Sequence, residues 1–105
     1  MFGQSLQIPG QQKLHKLEWK RQARNDLLKI VLHISSDNPD AAEKLADKIE
    51  AKAGMLAAHP ELSPVGRKRG TRELVVHPNY FIIYRVIGLT VEVLRVKHTS
   101  QAWPV

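Results

Sequence analysis

Four side chains in the second half of this 105-residue chain have the chemistry that a metal-independent cut of RNA would need: His98, Tyr84, Arg72 and Arg95. Such a reaction requires a base on the 2′-hydroxyl, cations on the phosphate and an acid on the leaving oxygen. Residue type alone does not make them a site. Just upstream, Arg67-Lys68-Arg69 and then Arg72 form a cationic run. It reads either as a solvated loop or as a surface for a polyanion or an acidic protein. His59, His77 and His98 fall on separate elements, no HxxxH spacing occurs, and there is no cysteine. No metal site is expected. A phosphate-cradling glycine loop is also missing from the sequence, so no cofactor is expected.

The elements that must carry these residues follow from periodicity. Lys16-Leu17-Glu18-Trp19 is a short strand with Leu17 and Trp19 on one face. Ala23, Leu27, Ile30, Val31 and Ile34 then recur at spacings of three and four, which predicts a helix over Gln22 to Ser35. Ser36-Asp37-Asn38-Pro39 stops it and starts another: Asn38 can accept from a free amide, and Pro39 suits the first helical position. Ala42, Leu45, Ala46, Ile49, Ala53 and Leu56 draw the second stripe, ending at Ala58-His59-Pro60. Its alanines predict close approach to the first helix in an antiparallel hairpin.

After a Pro- and Gly-containing loop over Glu61 to Gly70, the period changes to two. Thr71 to His77, Tyr80 to Val86 and Thr90 to His98 read as strands. Pro78-Asn79 and Ile87-Gly88-Leu89 make the turns. The fold class expected is α+β: an N-terminal strand, an antiparallel helical hairpin and a three-strand antiparallel meander, with the helices packed on one face of the sheet.

Length allows one core. Residues 1–15, Gln-rich and containing Pro9, read as a flexible leader or a cloning remnant, and 16–105 as the folded domain. Sixteen Lys and Arg against ten Asp and Glu give a formal charge of +6, a field that speeds encounters with anionic partners. The lack of cysteine excludes disulfide scaffolds and thiol chemistry and fits the cytoplasm. No apolar run is long enough for a membrane span.

Alternation sends about half of the meander's polar groups to the face away from the helices, where a basic surface with aromatic rings could hold RNA. Against that, Arg85 shares strand parity with Phe81 and Ile83, so it is a candidate for partial burial and pairing with Glu73 or Glu92. His77 suits a packing or turn-bonding role. Tyr80 and Tyr84 share a face and read as core.

Gly70-Thr71-Arg72-Glu73, His77-Pro78-Asn79-Tyr80, Tyr84-Arg85-Val86, then Val91-x-Val93-x-x-Val96-x-His98 and Trp103-Pro104 resemble ParE-type toxins of the RelE/ParE superfamily. The likeness runs from about residue 16 to 104 and includes the Ala-rich second helix opened by Asp37-Asn38-Pro39. It implies two helices against an antiparallel sheet and co-expression with an antitoxin. The acidic carboxy-terminal segment of that antitoxin would wrap the toxin, with Arg67, Lys68, Arg69 and Arg72 as its expected contacts.

The resemblance also implies one of two targets. ParE-type members are associated with DNA gyrase, and RelE-type members with cleaving messenger RNA on the ribosome. The ribonuclease branch generally carries an arginine early in the middle meander strand and a basic pair after the last strand. Here those places hold Phe81 and Lys97-His98-Thr99-Ser100. That departure favours gyrase inhibition without catalysis. His98, Arg95, Tyr84 and Arg72 keep the metal-independent endoribonuclease as the alternative.

Overall fold

The computed structural model describes residues 14–104. The leader assigned to 1–15 thus lies, up to residue 13, outside the described residues. His15 belongs to the folded body, because its backbone N–H donates to the Ala57 carbonyl at 2.8 Å.

Strand β1 (Lys16–Trp19) leads into helix α1 (Arg21–Ser35) and helix α2 (Pro39–Gly54), which tightens into a 3₁₀ turn at Met55–Ala57. Strands β2 (Arg72–His77), β3 (Tyr80–Ile87) and β4 (Thr90–His98) complete the chain. Asn38 caps α2 as its chemistry suggested, with its side-chain oxygen accepting from the Ala41 N–H at 3.0 Å and Pro39 in the first turn. Gly88, at φ 58°, takes the left-handed corner of the β3–β4 turn, a conformation that glycine adopts without steric cost.

The sheet order is β1-β4-β3-β2. The meander is antiparallel, whereas β1 pairs parallel to β4, Leu17 opposite Val91 and Trp19 opposite Val93. A parallel neighbour needs a long crossover, and the helical hairpin with the meander supplies it.

The core lies between sheet and helices. Ala23, Leu45, Ile49, Ala53 and Leu56 of the helical layer meet Val76, Ile82, Tyr84, Val91, Val93 and Val96 of the sheet. α1 lies on β4 and against α2. The ladder between β3 and β4 shifts register once: Ile83 faces Arg95 and Tyr84 faces Val93, leaving Leu94 as the extra residue of a bulge. The bulge switches parity along β4, so the core takes Val91, Val93 and then Val96. That shift explains the interrupted Val-x-Val-x-x-Val spacing.

The sheet's other face is not left open along its length. Phe81 and Ile83 point away from the helices yet are buried. Loop 61–70 and the Trp103 indole lie over this side: an isolated bridge joins Val65 to Arg72, and the Gly66 N–H donates to the Thr71 carbonyl at 2.7 Å. Gly66 is required there, since a Cβ would come within 2.9 Å of the Thr71 hydroxyl and 3.1 Å of the Thr71 carbonyl oxygen.

Candidate functional site

The cationic run is built onto this covered face. Arg67 stands over the Phe81 ring, 5.3 Å from its centroid, and its guanidinium forks onto the Glu73 carboxylate, Nη2 to Oε1 at 3.0 Å. The Arg67 backbone N–H also donates to Glu73, at 2.9 Å. Desolvation pushes the Glu73 carboxyl up, but the bonds and charge of Arg67 outweigh it and hold the carboxyl below the ordinary carboxylate value. Lys68 and Lys97 approach the Trp103 ring at 5.7 and 6.0 Å. Lys97 is 8% exposed, its stem buried along the sheet. Arg69 is exposed at the loop tip, while Arg72 turns inward and donates to the Ser63 carbonyl.

The four cations assigned to an acidic partner therefore differ in availability. Arg69 makes no ion pair or hydrogen bond among the described residues, and Lys68 is bound only to a ring face. Arg67 is engaged by Glu73, and Arg72 by a backbone oxygen. Further along the same face, Arg85 pairs with Glu92 at 2.6 Å, as one of its two candidate partners, but it is exposed, not buried. Arg85 foremost, with help from Lys20 at 3.8 Å, lowers the Glu92 carboxyl below its usual range.

The four groups that RNA cleavage would use do not form one cluster. Tyr84 is 0% exposed, and its hydroxyl donates to the Pro60 carbonyl at 2.9 Å. Arg95 is locked to Asp26 of α1 by two bonds, Nε to Oδ2 at 2.7 Å and Nη2 to Oδ1 at 2.9 Å. The Asp26 hydrogen bonds raise the Arg95 value above normal despite desolvation. Asp26 also accepts the Val96 N–H at 3.0 Å, immediately after the bulge. Arg72 lies opposite Tyr84 and His98 opposite Tyr80, four positions along β3, so they stand about 13 Å apart along the strands.

Arg72 and His98 open onto different clefts: Arg72 onto one that it shares with His15, Glu61 and Val86, and His98 onto one that it shares with Asp26, Lys29, Ile30 and His33 of α1 and with Tyr80, Val96 and Gln101. His77 is a turn residue: its Nδ1 accepts from the Asn79 N–H at 3.0 Å. Among the described residues no group of three or more His, Asp or Glu could hold a metal ion. No helix of the described residues is long and apolar enough to cross a membrane.

A second surface lies on the outside of the helical hairpin. Trp19, Leu27, Leu28, Val31 and Ala46 line an apolar groove of about 420 Å³, with Arg24 and Glu50 as its charged members. Leu28 is 56% and Leu32 60% exposed, on a helix that otherwise shows charge to solvent. Neighbouring large apolar side chains left in water mark a contact surface more often than chance does. The hairpin groove is a place where the sequence led us to expect an antitoxin, but the Asp26 pairing and the exposed Leu28 were both missed by the sequence pattern. The Asp26 pairing spans 69 positions, and Leu28 sits outside the apolar stripe.

A helical hairpin laid on a four-strand, mostly antiparallel sheet matches the fold of ParE/RelE toxins. The model of the family described as ParE toxin of the type II toxin–antitoxin system parDE matches residues 17–103. Y4kP of Sinorhizobium fredii is 36% identical over 89 residues, 85% of this chain and 93% of that protein. Toxin RelE2 of Caulobacter vibrioides is 34% identical over 83 residues, 79% of this chain and 93% of that one. Among solved structures, a chain of the chromosomal ParDE system from P. aeruginosa superposes with a TM-score of 0.74 at 24% identity, covering 82% of this chain and 97% of its own. A chain of the E. coli DinJ-YafQ complex gives 0.59 at 16% identity, covering 86% and 98%. The chain belongs to the ParE toxin family of type II toxin–antitoxin systems.

Proposed function

We propose that this toxin acts by binding, stalling DNA gyrase without cutting a nucleic acid, and that a cognate antitoxin neutralises it in the cytoplasm. The observation that carries this reading is the dispersal of the would-be catalytic set. Tyr84 is buried and bonded, Arg95 is neutralised by Asp26, and Arg72 is turned onto the Ser63 carbonyl. Three of the four groups are thus engaged in holding the fold together, and they do not converge on one place where a phosphodiester could sit. The resemblance to ParE-type toxins, which are associated with gyrase, supports this mode, as does Phe81 in place of a strand arginine.

For the antitoxin, the hairpin groove and the loop cations make a two-part surface. An amphipathic segment would set apolar anchors among Trp19, Leu27, Leu28 and Val31, and acidic residues further along it would meet Lys68, Arg69 and, with some rearrangement, Arg67 and Arg72. Solved relatives in complex with their antitoxins, such as RelBE2 from Mycobacterium tuberculosis and DinJ-YafQ, agree with such a partner.

The test is a supercoiling assay with purified toxin beside an in vitro translation assay. Loss of supercoiling at micromolar toxin, with translation intact, is the expected result. Intact supercoiling would overturn the gyrase assignment. The ribosome-dependent endoribonuclease is the second reading, favoured by one observation: His98 faces a cleft together with His33 and Lys29. It requires that His98→Ala abolish messenger cleavage while antitoxin binding persists.

A further inference from the structure

The cleft at the end of β4 has a property that its residue names do not reveal. It is lined by Asp26, Lys29, His33, Tyr80, His98 and Gln101, with apolar floor from Ile30 and Val96, and encloses about 220 Å³. The acceptors of its Asp26 and Gln101 side chains are already used. The Asp26 carboxylate accepts three bonds, two from Arg95 and one from the Val96 N–H, and its charge is cancelled by Arg95. The Gln101 side-chain oxygen accepts the His98 N–H at 2.7 Å, which leaves its amide NH₂ to donate. His98 Nδ1 accepts the Ser100 N–H at 3.0 Å, and since a backbone N–H can only donate, the ring proton must sit on Nε2. The Lys29 ammonium, the His33 ring and the Tyr80 hydroxyl engage no hydrogen-bond or ion-pair partner among the described residues, and these too can donate.

A pocket wall whose unengaged polar groups can all donate, with its one carboxylate neutralised, suits an oxyanion. Lys29 and His33 reach in from α1, while Tyr80, His98 and Gln101 come from the sheet end and the following turn, so the donors surround the space instead of lying in one plane. A planar carboxylate with two oxygens cannot engage five such groups; a tetrahedral anion with three terminal oxygens can. We propose that this cleft is a binding site for a phosphate group, carried either as free phosphate or at the end of a nucleotide. The inference does not rest on the gyrase reading and needs no toxicity; it concerns the cleft that the endoribonuclease reading also uses, and phosphate binding there requires no cleavage.

The experiment is a nitrogen-15 NMR titration of the full chain, following the imidazole nitrogens of His33 and His98 and the Gln101 side-chain amide. Inorganic phosphate is the probe and acetate the comparator, both at constant ionic strength. Saturable shifts at these three residues with phosphate, and none with acetate, are expected. The double variant Lys29→Gln/His33→Gln changes two exposed positions outside the core and should raise the phosphate dissociation constant at least tenfold, with the spectrum's dispersion reporting that it is folded. Gln101→Leu, which leaves the helix untouched, should weaken binding as well. Shifts that fail to saturate, an equal response to acetate, or variants that bind like the parent would each overturn the assignment. A 5′-phosphorylated dinucleotide set against its unphosphorylated form separates the two sources: a gain over free phosphate marks a nucleotide site, and parity marks a site that reads the phosphate alone.

Discussion

Glu73 shows how one carboxylate decides what a basic loop can do. It holds the Arg67 guanidinium and the Arg67 backbone together, and it does so with a carboxyl whose value lies below the ordinary one. A depressed carboxyl stabilises the fold above the unfolded-state value, and the contribution disappears as pH falls through the folded value. Glu73→Gln should therefore lower stability at neutral pH and flatten the acid limb of a stability–pH profile measured by urea denaturation. An unchanged acid limb would remove Glu73 from that role. Tyr84 allows a second test at the same scale. Tyr84→Phe leaves the Pro60 carbonyl without its donor and should cost about 1 kcal/mol, with growth arrest on induction unaffected if the hydroxyl has no catalytic part. Loss of toxicity in a folded Tyr84→Phe protein would restore the hydroxyl as a catalytic candidate.

At the scale of elements, the joint between α1 and β4 rests on Asp26, which ties the helix to the strand just past the bulge at Leu94. Asp26→Asn and Arg95→Ala should each destabilise by about 2 kcal/mol, and a double-mutant cycle should return a coupling energy of about 1–2 kcal/mol. Purely additive losses would show that the pair is incidental. The elements themselves were legible in the residues: the stripes at three and four, the Asn38-Pro39 restart and the Gly88 turn each stand where local chemistry put them. What a period of two could not show was the parity change at Leu94, which turns Val96, and not Arg95, into the core. Nor could it show that β1 joins β4 in parallel, since strand neighbours far apart in sequence leave no local mark. The same reason hid the Asp26–Arg95 joint, whereas the Arg67–Glu73 fork, only six positions apart, depends on how the loop folds back over the sheet, and Arg85 had been the anticipated candidate for Glu73. Trp103 was legible only as part of a family signature; its place over the far face of the sheet follows from packing.

For the molecule as a whole, a +6 charge and an exposed apolar groove separate two contributions to partner capture. The field should govern how fast an acidic antitoxin arrives, and the groove how long it stays. Leu28→Asp, at a position 56% exposed, should leave the fold intact and raise the antitoxin off-rate by tenfold or more, whereas added salt should chiefly slow the on-rate. An off-rate unchanged by Leu28→Asp would take the groove out of the interface.

The parallel pairing of β1 with β4 carries a consequence for how the protein is made. Leu17 must wait for Val91, 74 positions later, before it has a neighbour, and β4 is also the strand on which α1 rests. A closure that spans most of the sequence is slow and leaves little to assemble beforehand. A nascent chain interrupted ahead of Thr90 should thus stay unprotected against amide hydrogen exchange throughout its helices. The poison would come into being only with its last strand, all at once, giving the cell an interval in which synthesis has begun and harm has not.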